Sequence, residues 1–164
     1  MKRGTKMEIL NIQNQSDLFN ESVEIFWEQW GNETNYDFYK DCMRHSSKDR
    51  DAIPRFYIAI DGKEIIGTYA LLRNDINSRQ DLFPWLACLY VKPEYRGRSI
   101  GKGLLEHGLN VSAQLGYEKL YLSSDLEGYY ENYGWVNSTI TYGPSGGSIK
   151  VYEKTTSEKA ELET

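Results

Sequence analysis

Residues Leu82–Val91 read LFPWLACLYV, a run that is apolar almost without a break. A half-buried strand would alternate polar and apolar side chains, and this one does not. A strand apolar on both faces belongs in the middle of a sheet with helices over it. The chain must therefore supply neighbours on either side of this strand and layers above and below it. Lys92-Pro93-Glu94 ends the run, since proline donates no ladder hydrogen bond.

The remaining elements are read outward from that strand. Met7–Ile12 alternates and is short, which predicts a first strand. Ser16 and Asp17 offer cap chemistry to a helix whose apolar stripe is Phe19, Val23, Phe26 and Trp30, ended by Gly31-Asn32. A second helix is expected from Asn35 to His45, with Phe38, Tyr39, Cys42 and Met43 inward and Trp27 and Trp30 packing the first. Lys48–Asp51 reads as a charged loop. Arg55–Ile60 and Glu64–Leu72 are β-rich runs joined by Asp61-Gly62, a hairpin signal. Arg73–Asp81 is polar and loop-like. Helical period returns over Ser99–Leu115, followed by a strand at Glu118–Ser123 and a short helix at Leu126–Tyr133 closed by Gly134. Trp135–Tyr142 and Ile149–Glu153 form a last hairpin. The order is β-α-α-β-β-β-α-β-α-β-β: a mixed α/β (α+β) fold in a single domain, 7–154, with tails at 1–6 and 155–164.

Composition narrows the function. A chain of 164 residues suits one domain. Two cysteines, Cys42 and Cys88, and two histidines exclude a disulfide scaffold and a Cys/His zinc cluster, so no metal is expected. No apolar run approaches a membrane span and the first residues hold no secretory h-region, which predicts a cytoplasmic protein with no membrane partner. A net charge of −5 argues against nucleic acid and favours cationic small molecules or basic peptides. Thirteen tyrosines stand against five phenylalanines.

Glycines concentrate at Gly97, Gly101, Gly103, Gly108 and Gly116. Glycine inside a helix costs up to about 1 kcal/mol against alanine, so close approach of a ligand or of the sheet should offset it. A buried strand ends, a short loop turns, and a helix begins within Arg98–Gly101. Unpaired N–H groups at a helix start suit a pyrophosphate, and Arg96, Arg98 and Lys102 add positive charge there. A plain connection with solvated basic residues is the alternative. A P-loop fails, because Gly101-Lys102 is followed by Gly103 where Ser or Thr is needed. A Rossmann turn fails too, with Glu106 where the third glycine belongs.

Arg96-Gly97-Arg98-Ser99-Ile100-Gly101 resembles the Arg/Gln-x-x-Gly-x-Gly/Ala acetyl-CoA loop of the GNAT N-acetyltransferase superfamily, with Ser99 in place of the first motif glycine. Tyr130-Glu131-Asn132-Tyr133-Gly134-Trp135 is similar to a second pattern of that superfamily, Y-E-K-x-G-F. Together they cover roughly Leu82–Trp135. The resemblance implies a GNAT-like central mixed, mostly antiparallel sheet of about six or seven strands flanked by helices. It implies that backbone groups of Leu89, Tyr90 and Val91 hold the pantetheine of acetyl-CoA. The amides of Arg98, Ser99, Ile100, Gly101 and Lys102, with Arg96 and Gly97, would cradle its pyrophosphate, and an N–H near Leu89 would polarise the thioester carbonyl.

The implied activity moves acetyl from acetyl-CoA to a primary amine of a small molecule or peptide by direct attack. Tyr130 matches the tyrosine that serves as general acid, since a phenol is protonated at neutral pH. Tyr129 and Tyr133 are read as packing residues, and His45 and His107 as structural. Pro84–Ala87 holds no carboxylate where some members carry a base, which leaves Asp81, Asp125, Glu33, Asp37 or a water relay. That gap keeps open a non-catalytic acyl-CoA-binding or interaction module of the same fold. The acceptor and the oligomeric state, including a homodimer, stay open.

Overall fold

The computed structural model describes residues 7–47 and 52–156. The tails at 1–6 and 157–164 and the loop Lys48–Asp51 lie outside the described residues. The strands are β1 (Met7–Asn11), β2 (Arg55–Asp61), β3 (Glu64–Leu72), β4 (Trp85–Val91), β5 (Lys119–Ser124), β6 (Val136–Tyr142) and β7 (Ser148–Thr155). The helices are α1 (Phe19–Trp30), α2 (Tyr36–Arg44) and α3 (Ile100–Gln114). One seven-stranded sheet runs in the order β1-β2-β3-β4-β5-β7-β6, so the apolar run is indeed the central strand. β1 pairs antiparallel with β2, and β7 antiparallel with both β5 and β6. β4 and β5 pair in parallel, with Trp85 opposite Tyr121.

The chain packs as two compact units. The first holds the described residues up to Ala70 together with Cys88–Leu104. Val23, Phe26, Ile58, Ile66, Tyr69 and Leu104 are fully buried there. Phe26 meets Phe56 edge-on at 5.4 Å, and Tyr57 stacks on Tyr69 at 4.9 Å. The start of α3 lies tight on β1: a Cβ added at Gly103 would stand 3.1 Å from Met7 Cε. That close approach offsets the helix cost of this glycine.

The second unit holds Leu71–Ala87 and the described residues from Leu105 onward. Trp85, Leu120, Val151 and Tyr152 are fully buried in it. Its polar 73–81 loop is fastened to β6. Ser78 N donates to Tyr142 O at 2.9 Å, and Tyr142 N donates to Ser78 Oγ at 2.9 Å. Thr141 Oγ1 donates to Asn77 Oδ1 at 2.9 Å, and Arg79 Nη1 donates to Thr139 Oγ1 at 3.1 Å.

Four expectations change. Leu126–Tyr133 is not a helix but a bend leading to a single 3-10 turn, Glu131–Tyr133, because Gly128 stands at φ +84° and breaks helical continuity. Trp30 is 39% exposed and Phe38 54% exposed, so neither belongs to the core. Cys42 also faces out, leaving Met43 as the buried residue of α2. Thr155 and Thr156 belong to the fold rather than to a tail: β7 runs through Thr155, and the buried Thr156 donates its N–H to Glu118 O at 2.9 Å.

Candidate active site

β4, whose residues from Cys88 onward belong to the first unit, changes character halfway. Trp85, Leu86 and Ala87 are buried, whereas Cys88, Leu89, Tyr90 and Val91 are half-exposed. The change falls at Cys88, whose φ of +56° puts a kink into the strand. Thr68 Oγ1 donates to Cys88 O at 2.9 Å and fixes that kink. A half-exposed end on a central strand leaves backbone groups within reach of an extended ligand arm.

After β4 comes a 3-10 turn, Pro93–Tyr95, then the exposed stretch Arg96–Ser99, then α3. Gly97 stands at φ +80° and Ser99 at φ +63°, two left-handed residues that curl the chain into the helix start. Ser99 occupies the position where the motif has glycine, and its backbone adopts the conformation glycine favours. No acid lies in the first turn of α3, so the positive end of its dipole is unopposed. Arg96 Nε donates to Val91 O at 2.9 Å, and its guanidinium lies 6.0 Å from the Tyr90 ring centre. The Arg98 guanidinium lies 5.1 Å from the centre of the Tyr95 ring. Two cations are thus oriented by neighbouring rings beside the start of a helix, a geometry suited to phosphate groups. Trp30 of α1 meets Tyr90 edge-on at 6.5 Å, which brings the exposed tryptophan to this strand end.

In the second unit, Tyr130 is 7% exposed and precedes the 3-10 turn. Gly134, left-handed at φ +87°, closes that turn, and Tyr133 N and Trp135 N both donate to Tyr130 O. Tyr129 and Tyr152 pack on its ring at 4.9 and 5.6 Å. Burial, with Tyr129 adding to it, pushes the phenol up to about 12, against which a hydrogen bond from Ser124 works. The phenol therefore keeps its proton at any physiological pH. Ser124 was not singled out in the sequence; it ends β5, and only the fold brings it to Tyr130.

Of the carboxylates considered as a base, Asp81 is committed to Arg79, with contacts of 2.8 and 2.9 Å, and lies below the ordinary range because of them. Glu33, Asp37 and Asp125 are exposed. His107 is driven down to about 4 by burial and is neutral, and His45 pairs with Asp41 on the surface of α2. Among the described residues, no three or more His, Cys, Asp or Glu side chains are gathered to hold a metal. No described helix is long and apolar enough to cross a membrane.

This sheet, with a cationic glycine turn after its central strand, defines an acetyltransferase of the acyl-CoA-dependent type. A family model described as the acetyltransferase (GNAT) family matches residues 16–135, and the chain belongs to that family. It is an N-acetyltransferase, with acyl-CoA as co-substrate. Solved structures share the fold. An aminoglycoside 6'-N-acetyltransferase complexed with coenzyme A has a TM-score of 0.65 at 16% identity, over 91% of this chain and 97% of that one. An acetyltransferase from Streptococcus agalactiae 2603 has a TM-score of 0.64 at 21% identity, over 91% and 98%. A GNAT-family acetyltransferase from Bacillus cereus ATCC 10987 has a TM-score of 0.63 at 17% identity, over 92% and 97%. No curated protein matches the chain in sequence.

Proposed function

We propose that the protein transfers acetyl from acetyl-CoA to a primary amine of a small molecule or peptide by direct attack, in the cytoplasm. The observation that carries this reading is the turn Gly97–Ser99, which leads into α3 with oriented arginines at the end of the kinked central strand. Arg96, Gly97, Arg98, Ser99, Ile100, Gly101 and Lys102 hold the pyrophosphate. Backbone groups of Leu89, Tyr90 and Val91 hold the pantetheine as a further strand would, and an N–H near Leu89 draws charge onto the carbonyl oxygen.

Tyr130 gives its proton to the departing thiolate. A phenol held at about 12 is a reluctant donor, and the Ser124 hydrogen bond eases the transfer by stabilising the phenolate left behind. The acidic balance of the chain favours a cationic acceptor, and the likeness to an aminoglycoside acetyltransferase is consistent with a polyamine-like small molecule.

The test is release of free thiol from acetyl-CoA across a panel of primary amines. Turnover with at least one amine is expected, whereas tight acetyl-CoA binding with no thiol release from any amine would overturn the reading in favour of a binding module. With a working acceptor, Tyr130→Phe should lower kcat by about 100-fold while leaving acetyl-CoA affinity within a factor of about two. An unchanged kcat removes Tyr130 as the acid.

A further inference from the structure

Consecutive residues of β3 hold the half-exposed end of β4, all of them within the first unit. Ile66 O accepts from Lys92 N at 2.8 Å, just past the end of β4. A Cβ added at Gly67 would stand 2.8 Å from Tyr90 O and 3.2 Å from Leu104 Cδ1. The Tyr90 carbonyl is therefore seated where any other residue would put a side chain. Thr68 Oγ1 donates to Cys88 O at 2.9 Å. Residues 89–91 are thus tied at both ends and seated in the middle.

The Thr68 contact is unlike the others. A strand carbonyl ordinarily accepts a backbone N–H from its neighbour, and here a side-chain hydroxyl donates instead. Cys88, at φ +56°, has left the extended conformation, which a residue with a Cβ does only when its surroundings impose it. Thr68 is fully buried, so its hydroxyl needs an internal partner. Valine, of nearly the same shape, would suit a strand without that need.

The peptide that ends in Cys88 O also carries Leu89 N–H. The unit is planar and trans, so its C=O and N–H point in opposite directions. Fixing the carbonyl on Thr68 fixes the direction of Leu89 N–H, away from Thr68. A hydrogen bond to the oxygen also polarises the peptide and makes its N–H a stronger donor.

We propose that Thr68 is a positioning residue for the acetyl transfer, aiming and strengthening Leu89 N–H as donor to the thioester carbonyl oxygen. This inference rests on the acetyl-transfer reading, in which an N–H near Leu89 meets that oxygen. Negative charge gathers on the oxygen as the amine attacks, so a donor aligned in advance favours the transition state over the bound thioester. Thr68 acts only through the peptide between Cys88 and Leu89.

The test compares Thr68→Val and Thr68→Ala, which lack the hydroxyl, with Thr68→Ser, which keeps it. With acetyl-CoA labelled with 13C at the carbonyl, isotope-edited infrared spectra read the thioester stretch without turnover. Binding to wild type and to Thr68→Ser should move the stretch to lower wavenumber, and binding to the Val and Ala variants should move it much less. With the best amine from the thiol-release panel, Thr68→Val and Thr68→Ala should lower kcat by about 10-fold and leave the KM for acetyl-CoA within a factor of about three. Thr68→Ser should stay within a factor of about two of wild type in both. A hydroxyl-free variant that keeps both the shift and kcat overturns the proposal and leaves the acetyl-transfer reading intact. So does a Ser variant that behaves like the Ala variant, or wild type that binds acetyl-CoA with its stretch unmoved. An equal fall in affinity for 3'-phospho-ADP, which carries phosphates without pantetheine, marks a merely structural role and also overturns it. Wild type that neither binds acetyl-CoA nor releases thiol with any amine fails the acetyl-transfer reading itself.

Discussion

Ser99 carries a conformational penalty that its neighbours impose. At φ +63° a residue with a Cβ is disfavoured by roughly 1–2 kcal/mol, and glycine is not. Ser99→Gly removes that strain but gives the unfolded chain more freedom, worth about 0.4–1 kcal/mol in the opposite direction. The strain is the larger effect, so urea unfolding should show Ser99→Gly more stable by about 0.5 kcal/mol. Ser99→Val should be markedly destabilised and should bind acetyl-CoA more weakly, because a β-branched residue tolerates this backbone least. Asp75 shows the same trade in electrostatic form. Its folded carboxyl stands at about 6 against an ordinary 3.8, so the ionised form is disfavoured by the fold. The penalty is complete above pH 6, fades as pH falls through 6, and is lost below 3.8, where the carboxyl is protonated in both states. Asp75→Asn should therefore gain about 2 kcal/mol at pH 7.5 and much less near pH 4, measured by urea unfolding at both pH values.

Among the elements, the loop between β3 and β4 depends on one hydroxyl. Thr141 is fully buried, donates to Asn77 Oδ1, and accepts from Arg79 N at 3.2 Å. Thr141→Val keeps the shape and leaves Arg79 N and Asn77 without that partner. Each lost buried hydrogen bond costs about 1–3 kcal/mol, so a fall in unfolding free energy of about 2 kcal/mol is expected by urea titration. The strands that flank this loop were legible because β4 is apolar on both faces and Asp61-Gly62 marks a hairpin, with Gly62 at φ +65° as such a turn requires. The loop itself reads only as polar, since the partners of Ser78 and Arg79 stand some sixty positions away along the chain. The supposed helix at Leu126–Tyr133 carried its own contradiction in Gly128, which leaves too few residues before Gly134 for more than one turn. Periodicity placed Trp30 on the buried stripe of α1, but the helix ends there and the ring turns toward Tyr90. The proposed cofactor loop is readable as a local motif of consecutive residues. The burial that shifts Asp75 is not readable in that way, because it is a property of the folded chain.

At the scale of the whole molecule, two electrostatic effects oppose each other at the proposed cofactor site. The chain carries −5 overall and repels a polyanion at long range. In the proposed site, Arg96, Arg98 and Lys102, with the positive end of α3, would attract the same polyanion at contact distance. Salt separates the two because screening acts over a Debye length of about 8–10 Å near physiological ionic strength. Net charge spread over the surface lies mostly beyond that distance from a bound phosphate and is already screened there. The loop cations stand within it and are weakened only as salt rises further. The local attraction should therefore dominate, and acetyl-CoA affinity should fall several-fold between about 0.05 and 0.5 M salt, measured by isothermal titration calorimetry. Arg98→Gln together with Lys102→Gln should weaken binding at low salt and flatten the slope. An affinity that instead tightened with salt would mean that the overall negative charge governs cofactor binding and that the three loop cations do not contact its phosphates.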